Sequence, residues 1–376
     1  MRPGTEKLPA LTSLRFFAAA AIVYFHYQGH FGIPEAPWLG LAQAVSFFFI
    51  LSGFILTYTY PALPTWRDRC RFLILRAARL APANAAALVI TLILMDHIIA
   101  DTPRDVLLGR VATNLLMIQS WSPSGQLFTS LNGPAWSIST EFAFYFAFPF
   151  LIAGLARTWV WKLGLCAALT ASLIAFATWA GLPRSDLTWW TDVGRLLYES
   201  PASRLVEFMI GMCAALWIRP AVGAARATAW QIGALAAAGA YLLVSSHLNA
   251  SMSTPLTWWL GVVSPPTVGV VLAFAMRRGL LARALSFAPL VLLGEISYSI
   301  YLLHQPIGYL FGVRGMDGPA FLPLVLGTLV LVSWTVFVVI ERPARRAVRR
   351  MLDRAEGRDS ASLIPAVPSA QAQAAQ

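Results

Sequence analysis

The stretch RFFAAAAIVYFH, from Arg15 to His26, begins like a membrane-spanning helix but contains an arginine and a histidine. A helix turns by about 100° per residue, so His26 returns to the face from which Arg15 projects, about 16 Å further along the axis. Ionisable side chains inside a membrane are costly and usually face a bundle interior or a wet cavity. Each residue also has an ordinary interpretation, because Arg15 alone could snorkel to the inner interface and His26 alone could be a satisfied polar residue near the outer one. Their shared face predicts a polar cavity within a helix bundle.

The composition indicates an integral membrane protein. Of the 376 residues, 58% are hydrophobic and only 12% are charged, with a mean hydropathy of +0.65, whereas soluble domains carry about 25% charged residues. The net charge of +11 resides in short basic clusters between apolar runs, which is typical of cytoplasmic loops rather than of a nucleic-acid-binding face. We therefore expect an all-α polytopic helix bundle whose partner is the lipid bilayer, with no nucleic acid.

Apolar stretches long enough to cross about 30 Å of hydrocarbon recur along the chain. They are expected at 8–29, 38–60, 72–96, 134–156, 159–181, 203–219, 228–247, 256–276, 286–311 and 319–341. If the N-terminus is cytoplasmic, these ten spans place 21 Lys and Arg residues in inner segments and 6 in outer segments, with Arg15 inside the first helix. This asymmetry follows the positive-inside rule and predicts that both termini are cytoplasmic.

Two regions lack the character of a membrane span. Residues 97–133 are polar, and we expect an external loop there with a short helix over the site. Residues 353–376 lack an apolar stripe, so we expect a membrane domain over 1–352 followed by a disordered cytoplasmic tail. The three cysteines show no metal-ligand spacing, and the sequence predicts neither a metal site nor a disulfide.

A second polar pattern occurs in GPAWSISTEFAFYFAFPF, residues 133–150. Ser137, Glu141 and Tyr145 are spaced by four residues and form one stripe on the predicted fourth helix. A carboxylate within a span needs a partner. Glu141 is therefore either half of a structural ion pair between helices, a functional group, or both.

A third pattern occurs in GEISYSIYLLHQP, residues 294–306. Ser297, Tyr301 and His304 share one helix face at the spacing i, i+4, i+7. Small polar residues often do no more than join membrane helices by hydrogen bonds. That interpretation suits Ser297 better than His304.

A basic cluster occupies RDRCRFLILRAARLAP, residues 67–82, at the start of the predicted third helix. Its arginines could serve only topology and contact with lipid headgroups. Arg76 and Arg79, one turn apart, could instead bind a phosphorylated ligand from the cytoplasm, because guanidinium groups match phosphate well.

These residues resemble the membrane acyltransferase-3 family, typified by bacterial enzymes that O-acetylate surface polysaccharides. The similarity runs in family order along nearly the whole chain, and one position departs from it, since Ala81 replaces an aromatic residue often found there. The matching segments are LTSLRFFAAAAIVYFH, SFFFILSGFIL, RAARLAP, GPAWSISTEFAFYFAFP, SRLVEFMIGM, ISYSIYLLHQP and ERP.

The resemblance implies an O-acyltransferase of the bacterial plasma membrane with no permanently bound cofactor. Its donor would be cytoplasmic acyl-CoA, most commonly acetyl-CoA, with the CoA phosphates held by Arg15, Arg76 and Arg79. His26 would act as general base on an acceptor hydroxyl or would carry the acyl group. Glu141 could fix the tautomer of His26, while its partner stays open among His26, Arg15 and Arg76. The acceptor would be a carbohydrate or glycoconjugate. The supporting polar residues would be Trp136, Ser137, Tyr145, Ser297, Tyr301 and His304.

A transporter or flippase with a polar central pathway is the alternative, because it shares the helices and the intramembrane charges. The sequence shows no internal repeat and few Gly- or Pro-broken helices in paired positions, and both features count against that alternative. A sensor or scaffold without chemistry is a third hypothesis, which leaves His26, Glu141 and His304 unexplained.

Overall fold

The computed structural model describes residues 7–35, 40–121, 131–182, 193–218, 223–251 and 254–356, and the regular structure in these ranges is helical. The α-helices are α1 Pro9–Tyr27, α2 Ala44–Thr59, α3 Trp66–Leu94, α4 His97–Asp101, α5 Arg104–Leu115, α6 Ala135–Ile152, α7 Leu155–Trp179, α8 Pro201–Leu216, α9 Ala224–Ser251, α10 Pro255–Val262, α11 Thr267–Ala275, α12 Leu280–Leu285, α13 Ala288–Gly312, α14 Leu322–Val336 and α15 Arg342–Ala355. The predicted all-α fold is confirmed.

Eight helical segments in the described part of the chain are long and apolar enough to cross a membrane. They are Pro9–Tyr27, Leu41–Thr59, Trp66–Leu94, Ala135–Ile152, Leu155–Trp179, Ala224–Ser245, Pro255–Ala275 and Pro319–Ala355. The other two expected spans correspond to α8, which has only 16 residues, and to α13, whose 25 residues include several polar side chains. The polytopic bundle is therefore confirmed, while the count of ten and the cytoplasmic termini stay predictions.

Close helix contacts at glycines bring the polar residues together. A Cβ atom at Gly294 would overlap the carbonyl oxygen of Thr12, so α13 can approach α1 this closely only because residue 294 is glycine. Helices α2 and α8 also approach closely at glycines, because a Cβ atom at Gly53 or at Gly211 would overlap the backbone of the other helix. Small residues commonly allow such approaches between membrane helices.

The segment expected to form an external loop with one short helix contains two α-helices, α4 and α5, so that expectation was wrong in part. Asn84 on α3 donates from Nδ2 to the carbonyl oxygen of Asn114 (2.9 Å). The Asn114 side chain accepts in turn from the backbone N–H of Leu131 (3.3 Å). These bonds fasten α5 and the start of the α6 segment to α3, while residues 122–130 lie outside the described part.

The C-terminal helix continues past the predicted boundary at residue 352, since α15 ends at Ala355. Its end is held by Arg71 on α3, which forms ion pairs with Asp353 (2.5 Å) and Glu356 (3.0 Å). The first residues of the expected tail are thus helical and anchored. The rest of that expected tail, 357–376, lies outside the described residues.

Candidate active site

A cavity of about 390 Å³ lies between α1, α2, α3, α6 and α13. It extends from Lys7, just before α1, to Ser137 and Tyr301. Eight of the eleven residues predicted from sequence line it, and they come from four separate helices. They are Arg15, Arg76, Arg79, Ser137, Glu141, Tyr145, Ser297 and Tyr301.

Glu141 lies on the wall of this cavity and not at His26. Its Oε1 accepts hydrogen bonds from the Ser52 hydroxyl (2.8 Å) and from the Tyr145 hydroxyl (2.7 Å). Its charge also interacts with those of Arg15 and Arg79. Of the partners that the sequence left open for Glu141, the structure favours the arginine-lined part of the bundle over His26.

The arginines of the cavity are held by aromatic and acidic neighbours. Arg76 donates from Nη2 to the Tyr60 hydroxyl (3.1 Å). Its guanidinium lies 5.4 Å from the ring centroid of Tyr60 and 5.9 Å from that of Phe72. Such contacts stabilise a cation without neutralising it. Arg76 thus presents a fixed positive charge to the cavity.

Glu341 is a component of this charged cluster to which the sequence analysis gave no role. It is only 3% exposed, accepts from Arg345 (3.2 Å), and interacts electrostatically with Arg79 and Arg15. It ends a π-helical turn, Phe337–Glu341, between α14 and α15. In the sequence, Glu341 was noted only as part of the ERP segment. That segment resembles the family but does not indicate which residues Glu341 contacts.

Tyr301 connects the cavity to the histidines. Its hydroxyl lies 2.8 Å from the Ser137 hydroxyl and 3.2 Å from the Pro134 carbonyl oxygen, to which it donates. Its ring centroid is 6.0 Å from that of His304. The predicted stripes on α6 and α13 therefore meet at this pair of hydroxyl groups.

Ser297 and Trp136 have contacts that suit structural roles. The Ser297 hydroxyl donates to the Gly294 carbonyl oxygen within its own helix (2.8 Å). The Trp136 ring packs against Tyr198, with centroids 4.7 Å apart, and against Phe49 at 6.2 Å. The ordinary interpretation of Ser297 is thus the one its described contacts favour.

His26 and His304 form a hydrogen-bonded pair, which sequence spacing could not indicate. His304 Nδ1 lies 2.7 Å from the Tyr301 carbonyl oxygen. Because a carbonyl only accepts, neutral His304 carries its proton on Nδ1 and presents Nε2 as an acceptor. That Nε2 lies 3.1 Å from His26 Nδ1, which is also 3.0 Å from the Ile22 carbonyl oxygen. The network therefore assigns the proton of His26 to Nδ1 and the lone pair to Nε2.

The two rings differ in access to solvent. His304 is fully buried at 0% exposure, whereas the side chain of His26 is exposed. His26 is thus the exposed member of a pair whose buried partner fixes its tautomer. An imidazole with a free Nε2 can accept a proton or attack a carbonyl carbon.

The backbone around His304 has an unusual support. Pro306 lacks an N–H group, so the carbonyl oxygen of Leu302 loses its usual partner within the helix. Asn132 replaces that partner by donating from Nδ2 (2.7 Å). Tyr27 donates to the carbonyl oxygen of His304 itself (2.7 Å). The sequence analysis missed Asn132, although a proline within a predicted helix signals an orphaned carbonyl.

A membrane helix bundle that places arginines and a carboxylate in an internal cavity, beside a pair of histidines, has the features of a membrane-embedded group-transfer enzyme. Comparison with known sequences agrees, because the sequence profile of the family described as "Acyltransferase domain" matches residues 8–340. The chain belongs to this family, the membrane acyltransferase-3 family, as its sequence motifs indicated.

Three of the similar proteins carry acyltransferase names, and two of those names specify O-acetyl transfer. The acyltransferase MdmB of Streptomyces mycarofaciens is 27% identical, over 96% of this chain and 98% of the relative. The putative peptidoglycan O-acetyltransferase YrhL of Bacillus subtilis is 25% identical, over 92% of this chain but 56% of the relative. The O-acetyltransferase OatA of Staphylococcus aureus is 24% identical, over 80% of this chain and 50% of the relative. No solved structure matches the chain.

Proposed function

We propose that this protein transfers an acyl group, most simply acetyl, from acyl-CoA to a hydroxyl group of a carbohydrate or glycoconjugate at the bacterial plasma membrane. The observation that carries the proposal is the juxtaposition of a basic cavity with a histidine whose Nε2 bears the lone pair. The basic cavity suits a phosphorylated donor, and the lone pair on Nε2 suits activation of a hydroxyl group.

The reaction balances with His26 as general base. The acceptor hydroxyl loses its proton to Nε2 of His26 while its oxygen attacks the thioester carbonyl carbon. The carbon–sulfur bond then breaks, and the proton returns from Nε2 to the departing sulfur, which yields the ester and free CoA. His304 stabilises the transient imidazolium of His26, because its Nε2 accepts from Nδ1 throughout.

An acyl-histidine route uses the same geometry. Nε2 of His26 attacks the thioester carbon, the carbon–sulfur bond breaks, and the acceptor hydroxyl later takes the acyl group from the ring. In that route the Nδ1 proton of His26 passes to His304 Nε2 as CoA leaves, so the sulfur departs as thiolate. When the acceptor hydroxyl attacks the acyl carbon, the carbon–nitrogen bond breaks, His304 returns its proton to Nδ1, and the hydroxyl proton neutralises the thiolate. Both routes need the partner histidine and the same free nitrogen.

The donor fits the length of the first helix. Arg15 and His26 lie about 16 Å apart along α1, which is of the order of an extended pantetheine arm. Phosphates held by Arg15, Arg76 and Arg79 would therefore place the thioester near the histidine pair. The exposed side chain of His26 leaves the acceptor a route from the opposite side to the arginines.

The decisive experiment follows CoA release and acyl transfer from labelled acetyl-CoA by the purified full chain with candidate carbohydrate acceptors. We expect turnover by the wild type, and a loss of about 100-fold or more in kcat for H26A, the scale that general base catalysis supplies. H30A is the matched control, since His30 is exposed on the same side.

Equal activity of H26A and wild type would contradict the assigned base. Absence of CoA binding together with measurable flux of a glycan through proteoliposomes would instead establish the transporter.

A further inference from the structure

The last helix, α15, carries a dense positive charge to which the proposed reaction gives no role. Six of its 14 residues are arginines, and all six are exposed. They are Arg342, Arg345, Arg346, Arg349, Arg350 and Arg354. A charged helix face of this kind is often only solvated, but three further features distinguish α15 from a solvated helix.

The first feature is the placement of the nearby carboxylates. Asp353 and Glu356 both pair with Arg71 on α3, at 2.5 Å and 3.0 Å, and Glu356 also lies 3.6 Å from Arg67. These carboxylates are therefore directed to α3. Four arginines of α15 form no ion pair within the described part of the chain, and they are Arg342, Arg346, Arg350 and Arg354. Their charge is left uncompensated.

The second feature is the segregation of side chains around α15. Val348 and Leu352, one turn apart, are half-buried against the bundle. Arg346 and Arg350 project from roughly the opposite side of the helix. Met351, beside them, is 58% exposed. An exposed face that combines cations with a large apolar side chain suits a surface with both anionic and apolar parts, as the edge of a lipid bilayer has.

The third feature is the position of α15 along the last span. The apolar helical segment Pro319–Ala355 has 37 residues, of which the last 14 form α15. The remaining residues rise by about 35 Å, close to the hydrocarbon thickness of about 30 Å. Helix α15 thus begins where the hydrocarbon ends.

This position brings the arginines within reach of lipid headgroups at any tilt of the helix. Arg342 and Arg350 are separated by about 12 Å along the axis. The headgroup layer is about 6 Å thick, and the Debye length at physiological salt is about 8 Å. The first half of α15 therefore stays within the electrostatic range of anionic headgroups.

Trp66 adds an interfacial residue beside the end of α15. It is the first residue of α3 and is 75% exposed. Its neighbour Arg67 lies 3.6 Å from Glu356, just after α15. Tryptophan is enriched at membrane–water interfaces. An exposed tryptophan at this point indicates a lipid surface rather than a soluble anion.

We propose that α15 binds anionic phospholipid headgroups at the membrane surface through an outward face. That face is formed by Arg342, Arg346, Arg350 and Arg354. The positive-inside tendency explains why basic residues occur in certain segments, but it does not explain a helix whose arginines face outward while α3 holds its carboxylates. The proposal goes beyond the proposed function, because it needs neither donor nor acceptor.

The test titrates the purified full chain in detergent with two short-chain lipids that differ in headgroup charge. Dihexanoylphosphatidylglycerol is anionic, and dihexanoylphosphatidylcholine has no net charge. The melting temperature is followed for the wild type, R346Q/R350Q and R157Q/R226Q. The last variant is the matched control, since Arg157 and Arg226 are exposed and the ten-span prediction places them on the same side of the membrane as α15.

We expect the anionic lipid to raise the melting temperature of the wild type at lower concentrations than the neutral lipid does. Each arginine near an anionic surface contributes about fivefold in affinity. The half-maximal concentration of the anionic lipid should therefore rise about 20-fold in R346Q/R350Q. It should stay within about twofold of the wild type in R157Q/R226Q. Without lipid, all three proteins should melt alike, because the substituted side chains are exposed.

Several outcomes would overturn the proposal. An equal loss in both variants would show a response to net charge and not to α15. A similar rise with inorganic phosphate at the same concentration would indicate a soluble anion. Loss of a co-purifying protein from R346Q/R350Q, with its lipid response unchanged, would indicate a protein partner.

Salt provides an independent check of the electrostatic origin. At about 1 M salt the Debye length falls to about 3 Å. The preference of the wild type for the anionic lipid should then approach that of R346Q/R350Q. A preference that persists in full at this salt concentration would contradict binding through the exposed arginines.

Discussion

The two ends of α1 compensate in different ways for the free-energy cost of placing polar side chains in a membrane. At the Arg15 end, several arginines are balanced by Glu141 and Glu341 around a cavity. At the His26 end, neutral rings share one hydrogen bond, and only the inner ring, His304, is fully buried. Charges need partners or water, whereas neutral imidazoles need only a fixed tautomer. In the proposed function, this difference assigns anion binding to the first end and proton transfer to the second.

The largest effect should come from breaking the histidine pair on its buried side. H304F removes the acceptor that faces His26 Nδ1, and we expect kcat to fall about 100-fold while KM for the donor changes less than about twofold. H304Q keeps an oxygen acceptor near the position of Nε2 and should lose less than about tenfold. Steady-state kinetics with a folding check by thermal melt provides the measurement.

An equal loss in H304F and H304Q would mean that the ring fills space rather than holds a tautomer. A rise in KM without a fall in kcat would contradict the assignment of donor binding to the arginine end and of proton transfer to the histidine end.

The next effect should come from the arginine end and should have the opposite kinetic signature. R79A removes a cation from the cavity wall, and we expect KM for acetyl-CoA to rise about 10-fold to 100-fold with little change in kcat. R67A is the matched control, because that side chain is 68% exposed and its ion pair with Glu356 is long, at 3.6 Å. Equal KM values for R79A and R67A would contradict donor binding in the cavity.

The sequence predicted the faces of single helices well and the neighbours of those faces poorly. Helical periodicity placed Ser137, Glu141 and Tyr145 on one stripe, and the structure shows that stripe lining one cavity. The partner of His26 lies 278 residues away along the chain, and no spacing rule reports such a contact. The partner of Glu141 stayed open for the same reason, because a carboxylate within a span is expected to have partners but the sequence does not identify them.

The contact of Asn132 with the Leu302 carbonyl oxygen is another that the sequence did not predict, and it provides the prediction with the smallest effect. N132A would leave the Leu302 carbonyl oxygen, which Pro306 has already deprived of its helical partner, without the donor at 2.7 Å. Leaving a buried acceptor unsatisfied costs about 1–3 kcal/mol. We expect a lower melting temperature and a loss in kcat smaller than that of H304F, because the helix turn that holds His304 loosens without losing the ring.

The control for N132A is T65A. Thr65 caps α3 by accepting from the Asp68 N–H (3.1 Å), and loss of such a cap costs about 1 kcal/mol. T65A should therefore lower stability to a similar degree and leave kcat unchanged, since no contact connects that cap to the histidine pair in the described structure. If both variants lower kcat equally, general stability and not the proline-broken turn governs the histidine end. If only N132A does so, the backbone break at Pro306 is part of what positions His304 against His26.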